Sequence, residues 1–284
     1  MKNNQHLFNF VAEIGCNHQG DMKFAFKMID KLANFCGVKF VKFQKRNPLE
    51  LLGKERYNRP HPVPENSFGK TYGLHREKLE FNISEHKRIQ KYCKSKKIEY
   101  MCSAWDVTSL KQLISLKMNH IKIPSACNNN YDLLKYLFKN FNGHCHISLG
   151  MTTIKEENKI YALAKKYKKL KKLILYACTS DYPVKQEDVC LLEISRLKKK
   201  YSKKINSIAF SGHHQGISSD IAAATLGAEW VERHFTLDRT LKGTDHAASL
   251  EPDGARRVVR DLELLNLALK YKKKQILTCE IPQR

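Results

Sequence analysis

A single-domain α/β fold, a (β/α)8 or TIM barrel over residues 1–284, is what this sequence predicts. Three observations predict it. Eight short β-type runs occur in order, each followed by a helical pattern. They occupy about 250 residues, the usual size of such a barrel, with no long linker and no low-complexity block. No GxGxxG follows the first strand, which argues against an open doubly wound sheet, and an even run of eight favours closure.

The strands read at 8–14, 38–44, 98–103, 120–124, 145–149, 173–178, 207–211 and 229–235. A helix over 22–36 sets Ala25, Met28, Ile29, Leu32 and Cys36 on one face, behind Asp21 as N-cap and ahead of Gly37 as a stop. The helix at 107–117 starts behind Asp106, and the one at 154–169 opens on the capping-box pattern Thr153-Ile154-Lys155-Glu156. A last helix, 253–271, follows Pro252 and carries Val258, Val259, Leu262, Leu265 and Leu269 as its apolar stripe. Between the second strand and its helix lies a long βα-loop, 45–83, rich in Pro, Asn, His and Gly. A loop that long on a compact domain is more often functional than decorative.

Composition narrows the class. The chain has 51 Lys and Arg against 28 Asp and Glu, a net charge of +23. Lysines gather in KKYKKLKKL (165–173) and RLKKKYSKK (196–204), where Leu170, Leu173 and Leu197 can face inward and the lysines outward. Lysine outnumbers arginine and no aromatic-interleaved basic motif appears, so solvated helix faces are expected and nucleic acid is not. Nine cysteines, odd in number and without a CxxC pair, fit free thiols in a reducing compartment. No apolar run approaches the ~20 residues of a membrane span, and the start lacks a secretory signal, so a soluble, cytoplasmic chain is expected.

In a barrel of this kind chemistry sits where the strands end. Those ends carry Glu13, then Lys42 and Gln44, then Ser103, Lys122 and Ser125, Ser148, the segment CTSDYP, Ser211 with His213, and WVERHF. Alternate strand residues point into the barrel. Val41 and Phe43 pack outward, which turns Lys42 and Gln44 inward, and Ile121 and Ile123 likewise turn Lys122 inward. An inward lysine is costly unless it meets an anion. Two of them ringed by serines point to a phosphate or carboxylate site. In FSGHHQG (210–216), Ser211 and His213 share a parity and His214 falls off it; in the eighth strand Glu232 and His234 share one. His213 and His234 come from adjacent strands and suit a hexacoordinate divalent ion such as Mn2+ better than structural zinc. Glu232 would stand behind them as a hydrogen-bond support.

AEIGCNHQGD, VKFQ, KIPSA, LGMTT, FSGHHQG and ERHFTLDRTLKGTDHAASLEPD, in that order, resemble the motif series of the sialic acid synthases, the NeuB-like PEP-dependent nonulosonate synthases. The resemblance spans nearly the whole chain. It implies condensation of phosphoenolpyruvate (PEP) with an open-chain N-acylated hexosamine or its 6-phosphate, giving a nine-carbon 2-keto-3-deoxy acid and phosphate. It implies that His213 and His234 hold a divalent metal, typically Mn2+, which polarises the aldehyde. Lys42, Ser103, Lys122, Ser125, Ser148 and Ser211 match PEP-binding positions, and Glu13 matches a general acid/base near the reacting sugar carbon. Gln44, Tyr182 and Asp245 match positions that contact sugar or PEP.

Three departures from the series stand out. Cys127 occupies the position after KIPSA where a carboxylate usually meets the amino sugar. Gly212 precedes His213 where Asp is usual, and His214 follows it, either facing solvent or reading the aldose. The usual C-terminal antifreeze-like (SAF) domain is expected to be missing, which leaves closure to 45–83 with His75 and Arg76, or to a partner subunit. A homo-oligomer stays open as a reading, since the family's dimers use that domain only in part. Two other readings remain: condensation of PEP with a shorter aldose phosphate, of the KDO-8-phosphate type, and a non-catalytic basic barrel that binds nucleic acid.

Overall fold

Alternation of apolar residues gives each run two faces, and the eight strands use both. They are β1 (Asn9–Gly15), β2 (Phe40–Lys45), β3 (Glu99–Ala104), β4 (His120–Ile123), β5 (His144–Ser148), β6 (Leu173–Cys178), β7 (Ser207–Gly212) and β8 (Trp230–His234). They pair in parallel in sequence order, and β1 closes on β8. The computed structural model describes residues 8–272 and 276–284. The expected strands match the observed ones to within two residues at each end.

The helices are α1 (Met22–Lys31), α2 (Pro48–Asn58), α3 (Tyr72–Lys78), α4 (Ile83–Ser95), α5 (Val107–Ser115), α6 (Tyr131–Asn140), α7 (Ile154–Lys166), α8 (Leu192–Tyr201), α9 (Ser218–Thr225) and α10 (Pro252–Ala268). The caps read from sequence form. Asp21 accepts the Lys23 amide at 2.7 Å, Asp106 accepts that of Ser109 at 2.6 Å, and Thr153 and Glu156 close a reciprocal capping box. The helix ends differ from expectation: α5 stops at Ser115 and α7 at Lys166, short of 117 and 169, and two others differ further. After α1 the chain widens into a π turn, Leu32–Cys36, before Gly37 turns left-handed at φ 69°. Helix α10 stops at Ala268, so Leu269 leaves the stripe and is 43% exposed, while Val258 and Leu262 are buried.

Outward residues of the strands, such as Val41, Phe43, Ile121 and Ile123, are fully buried against the helices. Inside the barrel, Val11, Met101, Ile174, Tyr176, Ala209 and Trp230 fill the lower layers. The basic runs behave as expected: Leu173 and Leu197 are buried, Leu170 packs on the core, and most of their lysines are exposed. No helix among the described residues is long and apolar enough to cross a membrane.

The segment 45–83 is not an open loop. It folds into α2, a 3-10 turn (Pro64–Asn66) and α3, with α2 broken where Gly53 takes φ 65°. Helix α3 lies so close to α2 that a Cβ on Gly73 would fall 2.2 Å from the Tyr57 ring. The segment also reaches the β8 loop, where the Gly243 amide donates to Asn66 Oδ1 at 3.3 Å.

Buried Glu157 ties α7 to α8, accepting from Arg196 Nη2 at 2.5 Å, Lys200 Nζ at 2.8 Å and the Tyr201 hydroxyl at 2.8 Å. Burial alone would raise its carboxyl, yet these donors hold it below the usual range. A depressed folded-state pKa contributes stability above the unfolded value of about 4.3 that is lost as pH falls through it. Glu157→Gln is therefore expected to lower the urea midpoint at pH 7, with the deficit closing below about pH 4; a deficit independent of pH would contradict this.

Candidate active site

Strand register assembles the mouth. Glu13 on β1 stands beside Lys42 on β2 and His234 on β8, Gln44 beside Ser103, Ser103 beside Lys122, and Ser211 beside both Cys178 and Glu232. These side chains line a cavity of about 540 Å³ at the carboxyl ends of the strands. A larger depression, about 720 Å³, opens at the opposite end around His120 and His144, and none of the expected site residues lines it.

Four buried charges lie at the base of the mouth. Lys42 Nζ is 2.5 Å from Glu13 Oε2 and 3.6 Å from Glu232 Oε1; Lys122 Nζ donates to Glu232 Oε1 at 2.7 Å. Lys42 also donates to Ser103 Oγ at 2.8 Å, Ser211 donates to Glu232 at 3.2 Å, and Lys122 lies 4.1 Å from the centroid of the Tyr176 ring. The anion that each inward lysine needs is thus supplied first by the protein itself. Burial pushes Glu13 up to about 7, with Lys42 opposing and Glu232 adding to the rise. Burial also works against Glu232, but Lys122 and Lys42 hold it down to about 2. The pair is split into a proton-holding carboxyl and a fixed anion, the arrangement that general acid/base chemistry uses. Gln44 Nε2 orients Glu13, donating to Oε1 at 2.6 Å.

His213 and His234 face each other with ring centroids 5.5 Å apart, and Tyr182 lies 4.2 Å from the His213 ring. His213 Nδ1 is 2.9 Å from the Thr179 carbonyl, which can only accept, so Nδ1 carries a proton and donates it there. Burial pushes His234 down to about 3, so its ring is neutral at pH 7; among the described residues its buried Nδ1 has no hydrogen-bond partner, and it lies 3.7 Å from Asp245 Oδ2. Burial works against a charged His213 ring, but Cys178 and the Thr179 carbonyl hold its pKa above the usual value, so a divalent cation between the two imidazoles, beside the Asp245 carboxylate, would have to displace the extra proton. Among the described residues no group of three or more His, Cys, Asp and Glu is arranged to hold a metal, so the remaining positions would fall to water or substrate oxygens.

The structure gathers Glu13, Lys42, Gln44, Ser103, Lys122, Ser125, Ser148, Tyr182, Ser211, His213, Glu232, His234 and Asp245 around this one cavity. Among the described residues, buried Ser148 Oγ has no hydrogen-bond partner. Cys127, expected against the sugar, does not line the cavity. The 3-10 turn Ser125–Cys127 sends it into the apolar core, 4% exposed. His214 neither faces solvent nor reaches the cavity. It is fully buried, 2.9 Å from Arg233 Nη1, and its ring takes the space that a side chain at Gly212 would need, with a Cβ there only 2.8 Å from His214 Cε1.

Residues not singled out in the sequence also join the site, Arg46, Trp105, Asn66 and Cys178 of the CTSDYP segment among them. Arg46 lines it on the parity of Lys42 and Gln44, paired to Glu80 at 3.0 Å and with its guanidinium 4.1 Å from the centroid of the Trp105 ring. Trp105 itself lines the wall one residue past β3. Cys178 shares the inward parity of Tyr176; burial would raise its thiol, but His213 pulls it down to about 7. The parity rule was enough to find Arg46 and Cys178.

Residues 28–274 match the model of the NeuB family. This chain belongs to the NeuB family. It is 36% identical over 277 residues to N-acetylneuraminate-9-phosphate synthase of Homo sapiens, covering 98% of this chain and 75% of that protein. It is 30% identical over 260 residues to N,N'-diacetyllegionaminic acid synthase of Campylobacter jejuni, covering 91% and 76%. The crystal structure of N-acetylneuraminic acid (sialic acid) synthetase from Leptospira borgpetersenii, in complex with citrate, aligns with a TM-score of 0.84 at 27% identity, over 100% of this chain and 93% of that one. The family resemblance read from the motifs holds.

Behind the NeuB-family mouth, buried Arg233 donates to the carboxylate of Asp220 at 2.6 Å and to the carbonyls of Gly216 and His214. It braces the turn that carries His213. Asp220→Ala leaves this guanidinium buried without its anion, and a loss of about 3–5 kcal/mol in urea unfolding is expected; a loss below about 1 kcal/mol would contradict the brace.

Proposed function

We propose that this NeuB-family chain joins PEP to the aldehyde carbon of an open-chain aldose of the N-acylhexosamine class. The products are a 3-deoxy-2-ulosonic acid and inorganic phosphate. One observation carries the reading: two buried lysines, a proton-holding glutamate and two facing histidines line a single cavity at the strand tops. The similarity to N-acetylneuraminate-9-phosphate synthase of Homo sapiens and to N,N'-diacetyllegionaminic acid synthase of Campylobacter jejuni supports it.

In this reaction C3 of PEP forms the new bond to the aldehyde carbon, and the aldehyde oxygen takes a proton. Water adds at C2, the C2–O bond to phosphorus-bearing oxygen breaks, and phosphate leaves. Lys42 and Lys122 hold the PEP carboxylate and phosphate, and they stabilise the charge that gathers on the departing group. Ser148 and Ser125 add hydroxyls to the same anion. Glu13, held by Gln44, exchanges a proton at the aldehyde oxygen or the adding water. Asp245, Gln44 and Tyr182 face the aldose and fix it against PEP, turning an encounter of two molecules into a step within one complex. His213 and His234 would hold a divalent ion, expected to be Mn2+, which when bound supplies Lewis-acid polarisation of the aldehyde.

Phosphate release from PEP tests this reading. It is expected only when an aldose and a divalent ion are both present, and Glu13→Gln should lower kcat by about 10²- to 10⁴-fold. No release across hexoses, pentoses, N-acyl hexosamines and their phosphates, with Mn2+ supplied, would overturn it.

A further inference from the structure

Below the cavity the barrel interior departs from the branched aliphatic filling usual in this fold. Inward positions of three neighbouring strands carry His120 on β4, His144 and His146 on β5, and Tyr176 on β6. The Tyr176 hydroxyl lies 2.8 Å from His146 Nδ1, and His146 Nε2 lies 2.9 Å from His120 Nδ1. His146 and Tyr176 are fully buried, and among the described residues the hydroxyl has no other partner. It therefore donates to His146, since accepting would strand its own proton, and His146 donates in turn from Nε2 to His120. Burial holds both imidazoles below their ordinary range, His120 down to about 4, so the chain of rings is neutral at pH 7. It ends where the His120 ring stacks on that of His144, with centroids 5.0 Å apart, in the depression at the opposite end of the barrel.

These hydrogen bonds fix the tyrosine ring, and the face of that ring meets the site. Lys122 Nζ lies 4.1 Å from its centroid. Lys122 lines the cavity, whereas Tyr176 belongs to the interior layer of Val11, Met101, Ile174, Ala209 and Trp230. An ammonium has three N–H groups to place. One goes to Glu232 at 2.7 Å, while Ser211 Oγ, at 3.5 Å, is too far to hold a second firmly. A ring face attracts the charge without taking an N–H into a directed bond. A carboxylate or hydroxyl in the same place would take one, and would leave the ammonium less to offer an incoming anion.

We propose that Tyr176 is the positioning residue of Lys122. Its ring steadies the ammonium at the floor of the cavity with an N–H left for the anion, and the bonds through His146 to His120 keep the ring at that angle. This rests on the reading that Lys122 holds PEP, and goes beyond it in giving a role to residues that touch no substrate. A phenylalanine would present the same face but could tilt. An aliphatic residue would leave the buried charge to be drawn onto Glu232 alone.

Proton NMR and titration calorimetry with PEP test this together, on the wild-type protein, Tyr176→Phe, Tyr176→Leu and Ile174→Ala, each checked for folding by urea unfolding. A ring shields what lies over its face. The Lys122 methylene next to the ammonium, assigned by its loss in Lys122→Gln, is therefore expected upfield of the other lysines. That shift should persist in Tyr176→Phe and vanish in Tyr176→Leu. The dissociation constant for PEP should rise about 2- to 5-fold in Tyr176→Phe, which loses one hydrogen bond. It should rise roughly 10- to 30-fold in Tyr176→Leu, the range of a desolvated cation–π contact. Ile174→Ala, in the same interior layer, is expected to lose stability and keep its PEP affinity. An unshifted Lys122 in the wild type would overturn the proposal, whatever the variants do. So would unchanged PEP affinity in Tyr176→Leu, or an equal loss in Ile174→Ala, which is what a merely structural role gives. The two readings fail separately. A wild type that binds no PEP sinks the proposed reaction, with the shift still deciding whether Tyr176 seats Lys122; PEP turnover and affinity that ignore the loss of the ring sink this proposal alone.

Discussion

The ion cluster of Lys42, Lys122, Glu13 and Glu232 is the constraint on which the mouth of the barrel depends. Each of these four groups is at most 4% exposed, so each is stripped of water that only its neighbours replace. Replacement works because closure of β1 on β8 sets Glu13 between Lys42 and His234, and because β7 and β8 align Ser211 with Glu232. A slip of one residue in any of these strands would turn its charge toward the apolar helix layer. The same alignment that makes the cluster tolerable makes the site, since the two histidines, the serines and the split carboxyl pair all line one mouth.

Much of this was legible in the sequence because a barrel strand has a strict period. Val41 and Phe43, or Ile121 and Ile123, are apolar enough to declare which way Lys42 and Lys122 must point. The caps at Asp21, Asp106 and Thr153 declared themselves equally well, because capping needs only local residues in fixed order. What parity could not supply was partnership between distant strands. That Lys122 meets Glu232, separated by 110 positions, follows only from closure. The insertion was the least legible part. Its helices are short, one is interrupted at Gly53, and their packing depends on the absence of a side chain at Gly73. The sequence offered both His75 and Arg76 of KTYGLHREK for closure, but only Arg76 lines the cavity; His75 turns into a cluster with His61 and Tyr72, a division that nothing local in the segment tells.

The departures from the family's motif series have physical readings of different kinds. Gly212 and His214 form one adjustment, in which the ring at 214 fills the volume that a side chain at 212 would occupy, and Arg233 holds that ring in place. Parity had set His214 off the inner face, and the structure places it in the wall behind His213. Cys127 is a second case, where a turn moves the residue from the sugar side into the core. Arg76 and Asn66 of the insertion line the cavity instead.

The central claim is that the buried lysines form the seat of PEP. Titration calorimetry of PEP into the wild-type protein and into Lys122→Gln tests it most directly, with urea unfolding of both to establish that the variant is folded. The account predicts saturable PEP binding by the wild type and a loss of at least about 10-fold in the variant, the effect of removing one charge-assisted hydrogen bond to the ligand. No PEP binding by the wild type, or equal binding by the folded variant, would contradict it.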